Sequence, residues 1–246
     1  MGTGNTQRGS PETPVVFPGT VWLVNGNRFE PLLESCLTHL KAQECPTAKI
    51  MSPHLSEPYP EGTTFTAKEV MGLARPKLNE IIEAFLKTDA THLWLVDADC
   101  EVPTDALCKL LALDVDIASG ISPPHHSKKK STVLRWMPAP SPEHEWSRPW
   151  FKPYRINEVC DKILGEGQII ATGHFCLLCK RHVFERTSPD SEPLRFIYDP
   201  PQRLGSEVLF WYTAQERGFK CRIDGSIICG HLPEFPLKMM QEELGK

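Results

Sequence analysis

The stretch of sequence that decides the fold is Thr91-His-Leu-Trp-Leu-Val-Asp-Ala-Asp99. Its apolar run over residues 92–96 predicts a strand that is buried on both faces, as in a parallel sheet. Two carboxylates stop the run, and Pro103 then opens a helix with leucines at positions 107, 110 and 111. A strand, an acidic turn and a helix therefore follow one another here, and the rest of the chain can be assigned outward from them.

Strands and helices alternate on both sides of this stretch. The strands are predicted over residues 20–25, 48–51, 116–119 and 219–228, and the helices over 31–43, 76–87 and 206–217. Regular structure of unassigned type is expected over 168–178. Pro76 is expected in the first turn of its helix. This alternation predicts an α/β fold with a mostly parallel, Rossmann-like central sheet flanked by helices, which binds its ligands at the carboxyl ends of the strands.

The length of 246 residues, with 40% hydrophobic side chains, is enough to bury one large core. We expect a flexible lead-in over residues 1–18, which is rich in glycine and proline, and a single domain over 19–246. Within that domain, an irregular insertion over 122–167 separates a first half, 19–121, from a second half with a C-terminal tail, 168–246.

Charge and cysteine content exclude several classes of protein. A net charge of −4 gives no overall attraction to nucleic acid or to anionic membranes. No stretch has the roughly 18 apolar residues of a spanning helix, so a cytoplasmic protein is expected. The nine cysteines are expected to be reduced and mostly buried. Cys176 and Cys179 have zinc-like spacing, but no second pair accompanies them, so zinc is not favoured.

Asp97 and Asp99 are the most informative polar residues. Residues i and i+2 of an extended segment project to the same side, so both carboxylates can bind one hard cation, Mn²⁺ or Mg²⁺. Such an ion would neutralise a pyrophosphate and stabilise a departing nucleoside diphosphate. The alternative is that these residues only cap the helix near Pro103, and the spacing alone does not decide between the two.

Four segments together resemble the GT-A glycosyltransferases, chiefly the large inverting group, over about residues 20–232. They are 91–99 with the helix start after it, 171–178 with its Gly-x-x-hydrophobic pattern, 206–210 with a Ser-Glu start, and 227–231 with a strand-end histidine. The resemblance implies a transferase that moves sugar from a nucleoside diphosphate sugar, with a UDP-sugar favoured, to a hydroxyl acceptor. It implies that 19–121 is the nucleotide-binding half and that 168–246 is the acceptor half with its C-terminal tail.

The same resemblance implies roles for individual residues. The metal is expected at Asp97, Asp99 and His231, and the donor is expected beside Ala98, Gly173 and His174. Many inverting members have an aspartate base where this chain has Val208, so Glu207 becomes the candidate base that deprotonates the acceptor.

Nucleotide contacts are expected near the first strand and the second helix, from Asn25, Asn27, Arg28, Arg75 and Asn79. Arg75 is expected at a helix start, where a cation is slightly unfavourable, and this favours a ligand role. Lys128 belongs to the basic run 128–130, which is interpreted either as a flap over the pyrophosphate or as a solvated loop.

Aromatic and cationic residues alternate in the predicted insertion and mark the acceptor side: Trp136, Trp146, Arg148, Trp150, Phe151, Lys152, Tyr154 and Arg155. Flat rings suit sugars and also bases. The acceptor is therefore expected to be a glycan, a small molecule or a modified base in DNA, such as a hydroxymethylated nucleobase.

Two other functions remain open at this point. A nucleotidyltransferase would carry a glycine-rich loop with Arg and Lys after the first strand, and Asn25-Gly-Asn-Arg-Phe29 is not such a loop. A non-catalytic sugar- or nucleotide-binding module on a degenerate GT-A fold would account for the missing aspartate at position 208.

Overall fold

The alternation around residues 91–99 produces a central eight-stranded sheet with helices packed on both faces. The computed structural model describes residues 13–21, 30–57, 67–124, 127–137, 150–185, 192–197, 205–232 and 235–245.

The strands are β1 (Val15–Val21), β2 (Lys49–Ile50), β3 (His54–Leu55), β4 (His92–Asp97), β5 (Cys100–Glu101), β6 (Ile117–Ile121), β7 (Lys130–Met137), β8 (Trp150–Arg155), β9 (Ile163–Leu164), β10 (Ile170–Ala171), β11 (Cys176–Lys180), β12 (Cys221–Ile228) and β13 (Gly230–His231). The α-helices are α1 (Glu30–Lys41), α2 (Ala67–Leu86), α3 (Ala106–Ala112), α4 (Ile156–Val159), α5 (Ser206–Glu216) and α6 (Leu237–Leu244).

The central sheet has the strand order β2-β1-β4-β11-β6-β12-β9, with β3 also paired to β1. Strand β1 runs parallel to β2, β3 and β4, and β6 runs parallel to β12. Strand β11 lies antiparallel between β4 and β6. The carboxyl ends of β1, β4, β6 and β12 therefore meet at one edge, where β11 begins, and the predicted mostly parallel, Rossmann-like sheet is confirmed.

The core forms one apolar cluster on each face of the sheet. Leu93 and Leu95 of β4 pack into the cluster on the side of α2 and α5, whereas Trp94 and Val96 pack on the side of α1 and α3. The prediction that this strand is buried on both faces is confirmed. None of the described helices combines the length and the apolar character that crossing a bilayer requires.

The first strand is Val15–Val21 and so begins before the predicted range of 20–25, of which residues 22–25 lie outside the described part of the chain. Residues 15–18 thus belong to the sheet and not to the lead-in. Pro18 and Gly19 suggest a loop, but Pro18 lies where the neighbouring strand changes from β2 to β3. At Gly19 a side chain would collide with Ile81, so glycine allows α2 to approach the strand.

Helix α2 extends over Ala67–Leu86, so Pro76 lies in its interior and not in its first turn. An interior proline removes one helical hydrogen bond and crowds the preceding turn. The helix persists because Leu78, Ile81 and Phe85 are fully buried against the sheet. The helix-start argument for Arg75 does not apply, since Arg75 is well inside the helix.

The segment 122–167 is not irregular, because it contains β7, β8, α4 and β9. Strands β10, β7 and β8 form a separate antiparallel sheet, which we call the small sheet. Ser131 and Val133 are buried while Lys130 is exposed, which is the alternation of a strand. The regular segment expected over 168–178 contains β10, which belongs to the small sheet, and the start of β11, which belongs to the central one.

The nine cysteines are free thiols, and all except Cys108 and Cys160 are buried. They fill space in both apolar clusters.

Candidate functional site

The carboxyl edge of the central sheet collects the polar side chains that the sequence singled out. Asp97 ends β4, Asp99 follows in the turn before β5, and His174 lies in the turn before β11. His231 ends β13, and Glu207 lies in the first turn of α5. The fold therefore places the predicted acidic and imidazole groups on elements that terminate at the same edge.

Asp97 pairs with His174. The Nδ1 atom of His174 lies 2.6 Å from Oδ1 of Asp97. The pairing follows from the sheet, because β11 runs antiparallel to β4 with Cys176 opposite Val96, and the turn before β11 then reaches the end of β4. Burial lowers the pKa of His174, but the charge and hydrogen bond of Asp97 outweigh burial and raise the pKa to about 9. His174 is a cation at neutral pH.

Asp99 and His231 form a second pair, with Nε2 of His231 3.6 Å from Oδ2 of Asp99. Their neighbourhood is set by the short antiparallel pairing of β5 and β13, in which Cys100 is opposite His231. Burial lowers the pKa of His231, and the nearby Asp99 outweighs it, so that the pKa is raised.

The ring of His231 has a defined orientation. Its Nδ1 atom donates to the carbonyl of Pro123 at 2.9 Å, which directs Nε2 toward Asp99. Metal-binding histidines commonly use one nitrogen in this way and bind the ion with the other.

Glu101 holds the two short strands in place and was not anticipated from the sequence. Its Oε1 accepts a hydrogen bond from Ser35 of α1 and its Oε2 accepts one from the backbone N–H of Leu237, both at 2.8 Å. In addition, Leu232 N–H donates to the carbonyl of Asp99 at 2.8 Å. The only sequence signal was the continued two-residue acidic spacing at 97, 99 and 101.

Glu207 lies at the start of α5, beside Gly205. A side chain at Gly205 would come within 2.6 Å of Oε1 of Glu207, so the carboxylate folds back over that glycine. Ser206 Oγ donates to Glu207 Oε2 at 3.3 Å. The charge of Glu207 contributes to raising the pKa of His174, which ties it to the same site. Val208, by contrast, is buried in the core.

Gly173 and Ala98 lie in the two turns at this edge and are both half-buried. A side chain at Gly173 would come within 3.0 Å of the ring of Phe175. The turn is thus kept narrow next to His174.

The remaining predicted nucleotide contacts are more dispersed. Asn79 uses its whole amide on the backbone of Phe196: Nδ2 donates to the carbonyl at 2.9 Å and Oδ1 accepts from the N–H at 3.0 Å. The Phe196 ring lies 6.1 Å from that of His174, edge to face, so Asn79 fixes a ring beside the site. Arg75 and Lys128 are half-buried. Residues 25, 27 and 28 lie outside the described part of the chain.

The positions of the donor side chains determine whether the site can hold a divalent metal. Among the residues that the structure describes, no group of three or more His, Cys, Asp or Glu side chains is placed to hold a metal. The predicted set of Asp97, Asp99 and His231 is instead divided between two pairs. Mn²⁺ and Mg²⁺ are often held by one or two protein ligands together with substrate phosphates, and the oxygen and nitrogen of Asp99 and His231 suit that mode.

Comparisons with known proteins agree with the fold. No protein-family model matches the chain, and no significant match is found among curated proteins. Similar solved structures include that of A197 from STIV, with 13% identity and a TM-score of 0.50 over 89% of this chain and 86% of that one. A structure of CMP:2-keto-3-deoxy-manno-octonic acid synthetase complexed with CTP has 11% identity and a TM-score of 0.46 over 94% of this chain and 97% of that one. At 13% identity, the likeness to A197 is one of fold alone.

Proposed function

We propose that the chain is a metal-dependent glycosyltransferase that moves a sugar from a nucleoside diphosphate sugar, with a UDP-sugar favoured, to a hydroxyl acceptor. The observation that carries this proposal is the Asp99 and His231 pair at the carboxyl edge, with His231 oriented by the Pro123 carbonyl. Ligands of such sheets bind outside the carboxyl ends of the strands. The motif resemblance found in the sequence supports the same activity.

Asp99 and His231 would hold Mn²⁺ or Mg²⁺, with the diphosphate completing the coordination. The bound ion would stabilise negative charge on the departing nucleoside diphosphate. His174 contributes a second positive charge, since its raised pKa keeps it protonated. Its bond to Asp97 also fixes that carboxylate at the strand end.

Glu207 is the proposed base. The acceptor oxygen attacks the anomeric carbon, the bond between that carbon and the diphosphate oxygen breaks, and the hydroxyl proton passes to the Glu207 carboxylate. The half-exposed Glu207 suits this role better than position 208, where the side chain is buried in the core.

Donor hydrolysis tests the activity, because water can replace the acceptor. The purified protein should release nucleoside diphosphate slowly from one of the UDP-, GDP- or dTDP-sugars in the presence of Mn²⁺. A lack of turnover across all three classes would argue against a transferase. Release of pyrophosphate from CTP or UTP with a sugar acceptor would indicate a nucleotidyltransferase instead.

Asp99→Asn tests the metal role, because the change is nearly isosteric but removes the charge. We expect calorimetric titration with Mn²⁺ and UDP to lose the metal-dependent binding that the parent shows, while the thermal midpoint stays close to that of the parent. Asp105→Asn is the matched control, since Asp105 is exposed just before α3 and forms an ion pair with Lys109 of that helix. Equal Mn²⁺ binding by Asp99→Asn and the parent would refute the assignment.

A further inference from the structure

The small sheet places two cations side by side. Arg135 of β7 and Lys152 of β8 are directly opposed in the antiparallel register, so their side chains share one face. Like charges in this position repel each other. In the described part of the chain, neither has a carboxylate partner. The arrangement is unfavourable by itself and becomes favourable when an anion lies between or above the two groups.

The guanidinium group of Arg135 also stacks on an aromatic ring. The Arg135 guanidinium carbon lies 4.9 Å from the centre of the Tyr154 ring, and Tyr154 shares the face of Lys152 because it is two residues away. The Nε atom of Arg135 is buried without a hydrogen-bond partner among the described residues. A planar cation on an aromatic ring is a surface on which an unpaired base can stack.

The local charge is opposite to that of the whole chain. The three strands of the small sheet contain four Lys or Arg residues and no Asp or Glu, whereas the net charge of the protein is −4. Positive charge is therefore concentrated on the small sheet, as expected for a surface that binds a polyanion.

Hydrogen bonds and an aromatic contact connect the small sheet to the candidate site. Thr132 donates from its N–H and its Oγ1 to the Ser122 carbonyl at 2.9 and 3.0 Å, and Ser122 directly follows β6. The next carbonyl, that of Pro123, accepts from His231. On the other face of β7, Trp136 stacks on Tyr212 of α5, the helix that begins with Ser206 and Glu207.

We propose that the β7–β8 face carrying Arg135, Lys152 and Tyr154 binds single-stranded DNA, which presents the acceptor hydroxyl on one of its bases. This inference rests on the proposed transferase activity for the role of the strand as acceptor, but the binding itself does not. Phosphates would lie on the opposed cations and a base on the guanidinium stack. A single strand is required because paired bases cannot offer their faces.

An anionic membrane fits this face less well. Binding at a bilayer surface needs apolar side chains that enter it. The exposed large hydrophobic residues among those described are Leu55, Ile163, Ile197 and Met239, and none lies on β7 or β8.

Fluorescence anisotropy with a labelled thymidine strand of roughly 12 nucleotides tests the proposal. Without donor or metal, we expect salt-sensitive binding that is tighter than for the matching duplex. Lys152→Gln should raise Kd about fivefold to tenfold and reduce the slope of log Kd against log salt by about one. Lys152 is exposed, so the variant should fold normally.

Lys180→Gln is the control, because Lys180 ends β11 at the opposite edge of the central sheet, beside Asp114. Its Kd should match that of the parent. Absent binding, an equal loss in Lys180→Gln, or tighter binding to duplex DNA, to RNA of the same sequence or to phosphatidylserine vesicles would overturn the proposal. Donor hydrolysis without DNA binding would support the transferase activity and refute the DNA-binding face. DNA binding without donor hydrolysis would support the DNA-binding face and argue against the transferase activity.

Discussion

Gly205 and Glu207 show how a single missing side chain can set the position of a reactive group. The Glu207 carboxylate occupies the space that a Cβ at Gly205 would need. Val208, the next residue, is buried with the aromatic core. An acid at position 208 would therefore have to be buried in apolar surroundings, which is costly, and Glu207 is the side chain that the helix start leaves half-exposed.

Gly205→Ala should displace the carboxylate without unfolding the protein. The backbone at Gly205 has φ −62° and ψ 156°, which alanine adopts freely. We expect a stability loss of about 1 kcal/mol or less, unchanged donor affinity and a transfer rate at least about tenfold lower. The measurements are urea unfolding, calorimetry with donor, and product formation. Thr213→Ala in the same helix is the control. An unaltered transfer rate in Gly205→Ala would refute the assignment of Glu207 as the base.

The elements show which sequence signals were sufficient. The continuous apolar run of β4 predicted its two buried faces, and the neighbouring helix α3 also begins soon after Pro103. Local sequence patterns failed where contacts between residues distant in sequence determine the secondary structure. Pro76 remains helical because α2 is held by the buried residues after it, and β7 was hidden in a segment rich in proline. The pairing of β5 with β13 joins residues about 130 positions apart, which no local pattern reveals.

Glu101→Gln tests the connection between these short strands. A glutamine can still accept from the Leu237 N–H and can donate its NH2 to Ser35 Oγ, so the substitution keeps both contacts and removes the negative charge that strengthens them. We expect about 1–3 kcal/mol lower stability by urea unfolding and weaker Mn²⁺ binding in calorimetry, because the weakened contacts hold His231 and Asp99 less firmly in place. Glu166→Gln, at a highly exposed position, should change neither quantity. If Glu101→Gln bound Mn²⁺ like the parent, the hydrogen bonds of Glu101 to Ser35 and Leu237 would have no role in metal binding.

At the scale of the whole molecule, the antiparallel β11 completes the site. Because it enters the sheet from the carboxyl edge, the turn before it brings His174 to the end of β4. The sequence predicted these polar residues and the edge at which they meet. It did not predict the histidine partner of Asp97, because the direction of β11 could not be read from a run of apolar residues.

Stability against pH should report the Asp97 and His174 pair. The pKa of His174 rises from 6.5 to about 9 on folding, so its stabilisation is complete below pH 6.5 and is lost as the pH rises through 9. Urea unfolding of the metal-free protein should show a loss of roughly 2 kcal/mol across this range relative to His174→Gln. Parallel curves for the two proteins would mean that the pair does not stabilise the fold.

Strand β6 ends, and β11 begins, at the same edge of the central sheet, so residues 122–175 form an excursion that leaves and returns at one place. Within the described part of this excursion, β9 is its one strand paired in the central sheet, at the outer position beside β12. The excursion also carries Pro123 and His174, which contact His231 and Asp97, so a related chain that exchanged it would change the candidate site together with the small sheet.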